Sequence, residues 1–187
     1  MISILIIVPT KNSTEHLGKL IKSLLDQDDP NWRVIFVDYK SEKFHIDYLK
    51  RLCKRDSRFL IEKQISQDGI YGVQNIGFKF CKDNEWMLFW GSDDYAYNKK
   101  VISNIRKTIF KNKNHDLIIF KGRFVDLKTG EGKSKNHFTR FRTTNLRKGA
   151  YKKLLFLGFR HSHQGFLINP RLKLEGLRYN EKFYLAA

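Results

Sequence analysis

Residues 2–38, ISILIIVPTKNSTEHLGKLIKSLLDQDDPNWRVIFVD, decide the fold. Residues 2–8 are apolar without alternation, the pattern of a strand buried on both faces. Pro9 is expected to stop that strand, because proline cannot donate to a ladder. Ser13 or Thr14 can cap a helix running to about Asp26, with Leu17, Leu20, Ile21, Leu24 and Leu25 on one face. Asp28, Asp29, Pro30 and Asn31 make a turn, and residues 32–37 (WRVIFV) form a second buried strand.

Outward from this unit the alternation continues. A helix over residues 42–55 presents Phe44, Tyr48, Leu49 and Leu52, and residues 59–65 give a third strand. Residues 70–82 read as a helix, with Val73, Ile76, Gly77 and Phe80 at helical spacing. Residues 86–90 (WMLFW) form a fourth strand, 102–110 a helix and 117–120 (LIIF) a fifth strand. Repeated strand–helix alternation implies parallel strands joined by crossover helices, so residues 1–120 are a Rossmann-like half. After residue 120 the pattern changes, and Arg123 to Asp126 followed by Thr129, Gly130, Glu131 and Gly132 suggest an antiparallel excursion.

Composition bounds the function. The 187 residues suffice for one domain with a real core. At 41% hydrophobic and 14% aromatic the chain is not disordered. Cys53 and Cys81 cannot by themselves make a disulfide framework or a zinc site, and they read as reduced packing thiols. The apolar run at residues 2–9 is far shorter than the ~20 residues that cross a bilayer, and no basic residue precedes it as in a signal peptide. The default location is cytoplasmic.

Charge is unevenly spread. Residues 1–98 hold 14 basic and 14 acidic side chains, whereas residues 99–153 hold 17 basic and 3 acidic. Such a block attracts phosphates in nucleic acid, anionic lipid or a phosphorylated substrate; a solvated lysine-rich surface is the equally weighted alternative. Phe110, Phe120, Phe124, Phe138, Phe141 and Tyr151 interleave with it, the mixture used by nucleic-acid stacking platforms. The acidic rim of the first half argues against nucleic acid.

That rim follows from topology, because ligands of open α/β sheets bind beyond the carboxyl ends of the strands. Pro9, Thr10, Lys11 and Asn12 follow the first strand, Asp38 ends the second, Gln67, Asp68 and Gly69 follow the third, and Gly91, Ser92, Asp93 and Asp94 follow the fourth. Adjacent carboxylates at Asp93 and Asp94 repel each other unless a cation neutralises them, and Mg²⁺ or Mn²⁺ shared with substrate phosphates fits their oxygens. The alternative is a pair capping the next helix. There is no GxxxxGK[ST] and no GxGxxG after the first strand, which excludes a P-loop ATPase and a dinucleotide-binding dehydrogenase.

Three segments together resemble glycosyltransferase family 2, inverting enzymes of the GT-A fold, in a bacterial subgroup that builds surface polysaccharides. They are residues 2–38, residues 67–94 (QDGIYGVQNIGFKFCKDNEWMLFWGSDD) and residues 163–187 (HQGFLINPRLKLEGLRYNEKFYLAA). The resemblance implies a single domain over residues 1–187, with a nucleotide-binding half at 1–98 and a basic, acceptor-side half at 99–187. The fold implied is α/β, a mostly parallel sheet sandwiched by helices with an antiparallel C-terminal portion. The activity implied is transfer of a sugar from a nucleotide diphosphate sugar, commonly UDP-linked, to a saccharide or lipid-linked hydroxyl acceptor, with Mn²⁺ or Mg²⁺ as cofactor. By the same resemblance Pro9, Thr10 and Asn12 lie near the nucleotide and Asp38 hydrogen-bonds the base. Asp68 and Asn75 line the nucleotide–sugar pocket, Asp93 lies near the ribose and donor sugar, Asp94 ligates the metal, and His163 and Gln164 lie near the diphosphate and acceptor.

Some residues depart from the family pattern. Tyr39, Lys40, Ser41 and Glu42 replace small polar residues, and Gly72, Val73 and Gln74 replace Asp, Ala and Met. By the resemblance the general base is expected just past the run at residues 184–187, beyond Ala187, where the sequence ends; this leaves Glu181 as a weak substitute. A nucleotide-sugar-binding module without turnover is the rival expectation. The basic block is expected to face an anionic membrane surface from the cytoplasmic side as a peripheral attachment.

Overall fold

The computed structural model describes residues 1–65, 69–120, 122, 125–126 and 163–183. In chain order these form β1 (Ser3–Thr10), α1 (Thr14–Leu25), β2 (Trp32–Asp38), α2 (Lys43–Arg55), β3 (Phe59–Lys63), α3 (Gly69–Phe80), β4 (Glu85–Phe89), α4 (Val101–Lys111), β5 (Leu117–Ile119), β6 (Phe166–Ile168) and α5 (Pro170–Leu174). The strands make one six-stranded sheet in the order β3-β2-β1-β4-β6-β5. The first four are parallel, and β6 runs antiparallel to both β4 and β5.

The non-alternating apolar strands are buried on both faces, as their composition requires. Even-numbered β1 residues Ile4, Ile6 and Val8 pack with Leu17, Leu20 and Leu24 of α1, Leu49 of α2 and Ile102, Ile105 and Ile109 of α4. Odd-numbered Leu5 and Ile7 pack with Ile35, Val37, Met87 and Phe89 and with Val73 and Phe78 of α3. Right-handed crossovers explain the division among the first three helices: β1→β2→β3 steps one way along the sheet and β3→β4 steps back, so α1 and α2 cover one face and α3 the other.

Close approach of α3 to β1 depends on Gly77. A Cβ there would lie 2.3 Å from Ile7 Cδ1 and 2.8 Å from its Cγ2, and Ile7 is fully buried. Gly77→Ala is therefore expected to cost about 1–3 kcal/mol by overpacking, despite alanine's better helix propensity. Urea unfolding checks this; an unchanged or raised midpoint would show that the helix can move off the sheet freely.

Several expectations are corrected. Pro9 does not end β1: the strand runs on through Thr10, which pairs in register with Asp38. The Trp90 N–H donates to the Ile7 carbonyl, so odd-numbered β1 residues face β4. Pairing with β4 ends at Ile7–Phe89, so the missing Pro9 donor falls where no ladder remains. Leu25 and Phe44 are exposed rather than on the packed faces; His45 takes the buried position in α2 instead of its neighbour. Ser13 stands at the N-cap of α1 without a side-chain cap bond, and the Thr14 hydroxyl goes to His45. The fifth strand has the expected direction but not the expected neighbour, because β6 inserts between it and β4. The Asp93–Asp94 pair does not cap α4, whose N-cap is Lys100. Most of the excursion expected after Arg123 lies outside the described residues, and so does Ala187 with the rest of residues 184–187. Cys53 and Cys81 are free thiols; burial pushes Cys81 up to about 12, so it is an inert packing group.

Candidate active site

Sheet order reverses between β1 and β4, which opens a crevice at their carboxyl ends. Two polar groups flank it, and a third lies against the end of β4.

The first is built on β1 and β2. Thr10 and Asp38 end these strands level with each other, and both are buried. Asp38 Oδ1 accepts from the Ser41 hydroxyl and Oδ2 from the Ser41 N–H at 3.2 Å. Asn12 adopts φ 50°, a left-handed conformation that asparagine tolerates. This turns its Oδ1 to accept from the Glu42 N–H at 2.8 Å, while its own N–H donates to Ser41 Oγ at 2.8 Å. Asn12 thus ties the β1–α1 loop to the start of α2. Beneath them His45, 2% exposed, contacts Thr10 Oγ1 through Nε2 and Thr14 Oγ1 through Nδ1 at 2.6 Å. Its Nε2 lies 3.7 Å from Asp38 Oδ1. Burial lowers the imidazole pKa, and the Asp38 charge opposes that shift. Above, the Lys11 and Lys40 ammonium groups lie 5.4 and 5.2 Å from the Tyr39 ring centroid.

The second group follows β4. Asp94 Oδ2 accepts from the Gly91 N–H at 2.6 Å, and its carboxylate makes no other hydrogen bond among the described residues. Burial, reinforced by the Asp93 charge and opposed by the Gly91 bond, raises Asp94 to about 6. Both carboxylates fold over Gly91, where a Cβ would stand 2.6 Å from Asp93 Oδ1 and 3.4 Å from Asp94 Oδ2. Glycine is needed there for the pair to close down on the chain. No cluster of three or more metal-binding side chains occurs among the described residues.

The third group joins α3 to the C-terminal segment. Asn75 Nδ2 donates to the Tyr179 carbonyl at 2.9 Å and to Glu181 Oε1 at 2.7 Å, and its Oδ1 accepts from the Tyr179 N–H at 2.9 Å. The Tyr179 ring stacks on Tyr71 at 5.0 Å and on Phe78 at 5.8 Å, and meets Phe89 at the end of β4 edge-on. The His163 ring meets Tyr71, Tyr179 and Phe166 edge-on, and burial lowers its pKa. Gln164 follows it in the 3-10 turn His163–Gly165 that leads into β6.

The expected residues are therefore sorted: Pro9, Thr10, Asn12 and Asp38 at one strand pair, Asp93 and Asp94 at the next strand, and Asn75, His163, Gln164 and Glu181 on the segments packed against it. Asp68 lies outside the described residues. The general base expected just past Ala187 likewise falls outside them, whereas Glu181, the weak substitute, is described and is bonded to Asn75. His45, Thr14, Ser41 and Tyr179 complete these networks; from the sequence Thr14 was read only as a helix cap and Ser41 only as a departure from the family pattern, and neither His45 nor Tyr179 was singled out.

This fold and rim define a GT-A domain. The sequence pattern of Glycosyl transferase family 2 matches residues 5–171, and the chain belongs to that family. It is 31% identical over 100 residues to a poly(ribitol-phosphate) beta-glucosyltransferase of Bacillus spizizenii, a match covering 52% of this chain and 16% of that protein. Its fold resembles S. aureus TarS 1-349, solved in complex with UDP, at a TM-score of 0.72 and 21% identity over 99% of this chain and 52% of that one. A mannosyltransferase of Pyrobaculum calidifontis, solved with GDP-Man and Mn²⁺, matches at a TM-score of 0.50 and 16% identity over 57% of this chain and 32% of that one. The chain thus spans about half of TarS 1-349 and a smaller part of the Bacillus protein.

Proposed function

We propose that this chain binds a nucleoside diphosphate sugar, UDP-linked, and carries out inverting transfer of the sugar to a hydroxyl acceptor in glycan or polysaccharide synthesis. The observation that carries this reading is the pair of acidic strand ends beside the β1/β4 crevice: Asp38, level with Thr10, and the half-buried, crowded Asp94. Family membership and the nucleotide-bound relatives support it.

The parts divide by chemistry. Asp38 accepts from a nucleobase N–H. Asp94, with Asp93 beside it, would hold Mg²⁺ or Mn²⁺. Two carboxylates without a larger cluster among the described residues suit such an ion, which takes its other ligands from substrate phosphates and water. When bound, the ion neutralises charge that develops on the departing diphosphate. A carboxylate base removes the acceptor proton in line with the leaving group, and one displacement inverts the anomeric centre. Glu181, its Oε1 held by Asn75, is the candidate base among the described residues.

A thermal-shift series with UDP, GDP and ADP, each with and without Mn²⁺, tests the reading through mass action on the folded state. UDP with Mn²⁺ should raise the midpoint more than either alone. No shift with any nucleoside diphosphate would overturn the proposal. Asp38→Ala should weaken UDP binding by about 1–3 kcal/mol, since the base donor loses its partner. Equal calorimetric affinities of variant and wild type would refute the base-binding role.

The basic block is proposed to attach the protein to the anionic inner face of a membrane carrying the acceptor. Each lysine or arginine near such a surface contributes about 1 kcal/mol, screened by salt. Sedimentation should show binding to anionic vesicles that falls steeply with salt and no binding to neutral ones. Binding to neither would remove the membrane from this account.

A further inference from the structure

We propose that His45 is a positioning residue for the nucleoside end of the donor, holding Thr10 and Asp38 in their binding geometry from beneath the rim. This rests on the functional reading above and deepens it by naming what sets nucleobase recognition.

The argument starts from placement. His45 sits in the first turn of α2, and its ring reaches the ends of β1 and β2, so it touches three elements at once. Both ring nitrogens meet threonine hydroxyls, Nε2 at Thr10 and Nδ1 at Thr14. A neutral imidazole has one donor and one acceptor nitrogen. One threonine must therefore donate to the ring and the other accept, so each Oγ1 is held at one ring nitrogen. Thr10 is the rim residue level with Asp38, so the held hydroxyl stands beside the carboxylate expected to meet the base.

Asp38 is constrained from two sides. Ser41 holds both of its oxygens, and the imidazole stands 3.7 Å from Oδ1. That separation exceeds a hydrogen bond, so the neutral ring acts on Asp38 through packing rather than as a donor. His45 and Asp38 are 2% and 3% exposed, so the ring and the carboxylate lie packed together out of bulk solvent. A His serving packing alone would not need both nitrogens aimed at side chains from the β1 end and the α1 start.

The two side-chain amides separate the two nitrogens. His45→Gln places an amide near Nε2 and keeps the contact with Thr10. His45→Asn places one near Nδ1, keeping Thr14 and releasing Thr10. Titrations with Mn²⁺–UDP and with Mn²⁺–pyrophosphate then read the nucleoside and diphosphate subsites separately. His45→Asn should lose about tenfold in UDP affinity, the scale of one well-placed hydrogen bond, with pyrophosphate affinity unchanged. His45→Gln should stay near the wild-type ratio. Equal loss for both ligands, or an unmoved ratio in His45→Asn, would overturn the positioning role. If the variants do not fold, wild-type ¹⁵N spectra decide: the His45 ring resonances should move on adding UDP and not on adding pyrophosphate, and immobility under UDP would refute the role. A wild-type chain that binds pyrophosphate but no nucleoside diphosphate overturns the donor reading itself, and this inference with it.

Discussion

Asp94→Asn is expected to abolish Mn²⁺-dependent UDP binding while making the ligand-free chain more stable. The two effects share one cause. Asp94 is half-buried beside Asp93, and its native pKa is raised to about 6 from an ordinary 3.8. Such a group stabilises the fold relative to its ionised form only while protonated. No penalty exists below about pH 4, where both states hold the proton; it grows as pH rises and is complete above the native pKa. At pH 8 the folded chain thus carries a disfavoured charge, worth about 1–3 kcal/mol once partial exposure is allowed for. Asparagine keeps an oxygen for the Gly91 N–H, which now donates at 2.6 Å, and removes the charge. The variant should unfold at higher urea than wild type at pH 8, and at the same urea near pH 4. Retained Mn²⁺-dependent UDP binding would sink the metal assignment. An unchanged midpoint at pH 8 would instead show that the carboxylate is solvated in the folded chain. The cost is consistent with a site kept charged for a cation that neutralises it.

The parts of this site that the sequence made legible are those that depend on local pattern. Predominantly apolar, non-alternating runs at residues 2–8, 32–37 and 86–90 located β1, β2 and β4, and with them the rim on which Asp38 and Asp94 stand. Partnerships set by distant chain segments were not legible. Nothing in LIIF says that β6, which follows about fifty residues later, will lie between it and β4. Asn75 is spaced like any helical residue, and only the fold brings Tyr179 to its amide. His45 was within reach. His45, Leu49 and Leu52 recur at helical spacing, and the stripe through them leaves Phe44 to solvent. Hydrophobicity alone favoured Phe44. A polar residue on a buried stripe is a sign that partners wait for it, here two threonines from the end of β1 and the start of α1.

Arg33→Met is expected to destabilise the protein by about 3–5 kcal/mol, because it strands a buried carboxylate. Arg33 on β2 reaches across β1 to Glu85 at the start of β4, with Nε and Nη2 each 2.7 Å from a different carboxylate oxygen. Nη2 also donates to the Phe80 carbonyl at the end of α3, at 3.0 Å. Glu85, 2% exposed, accepts in addition from the Lys82 N–H at 2.9 Å. The pair therefore fastens β2, β4 and the α3–β4 turn at the end of the sheet opposite the rim. Replacing both partners should be milder than replacing one, since Arg33→Met with Glu85→Leu leaves no unpaired charge and, beyond the pair itself, loses the bonds to the Phe80 carbonyl and from the Lys82 N–H. Urea unfolding of wild type, both single variants and the double variant completes the cycle. A single-variant loss below about 1 kcal/mol would mean that solvent reaches Glu85 and that the pair behaves as a surface bridge. The location yields a second expectation: below their own unfolding transitions the variants should bind UDP with wild-type affinity. A change in UDP affinity would show that the far end of β2 and β4 sets the geometry of Asp38 and Asp94, coupling stability and recognition along the same two strands.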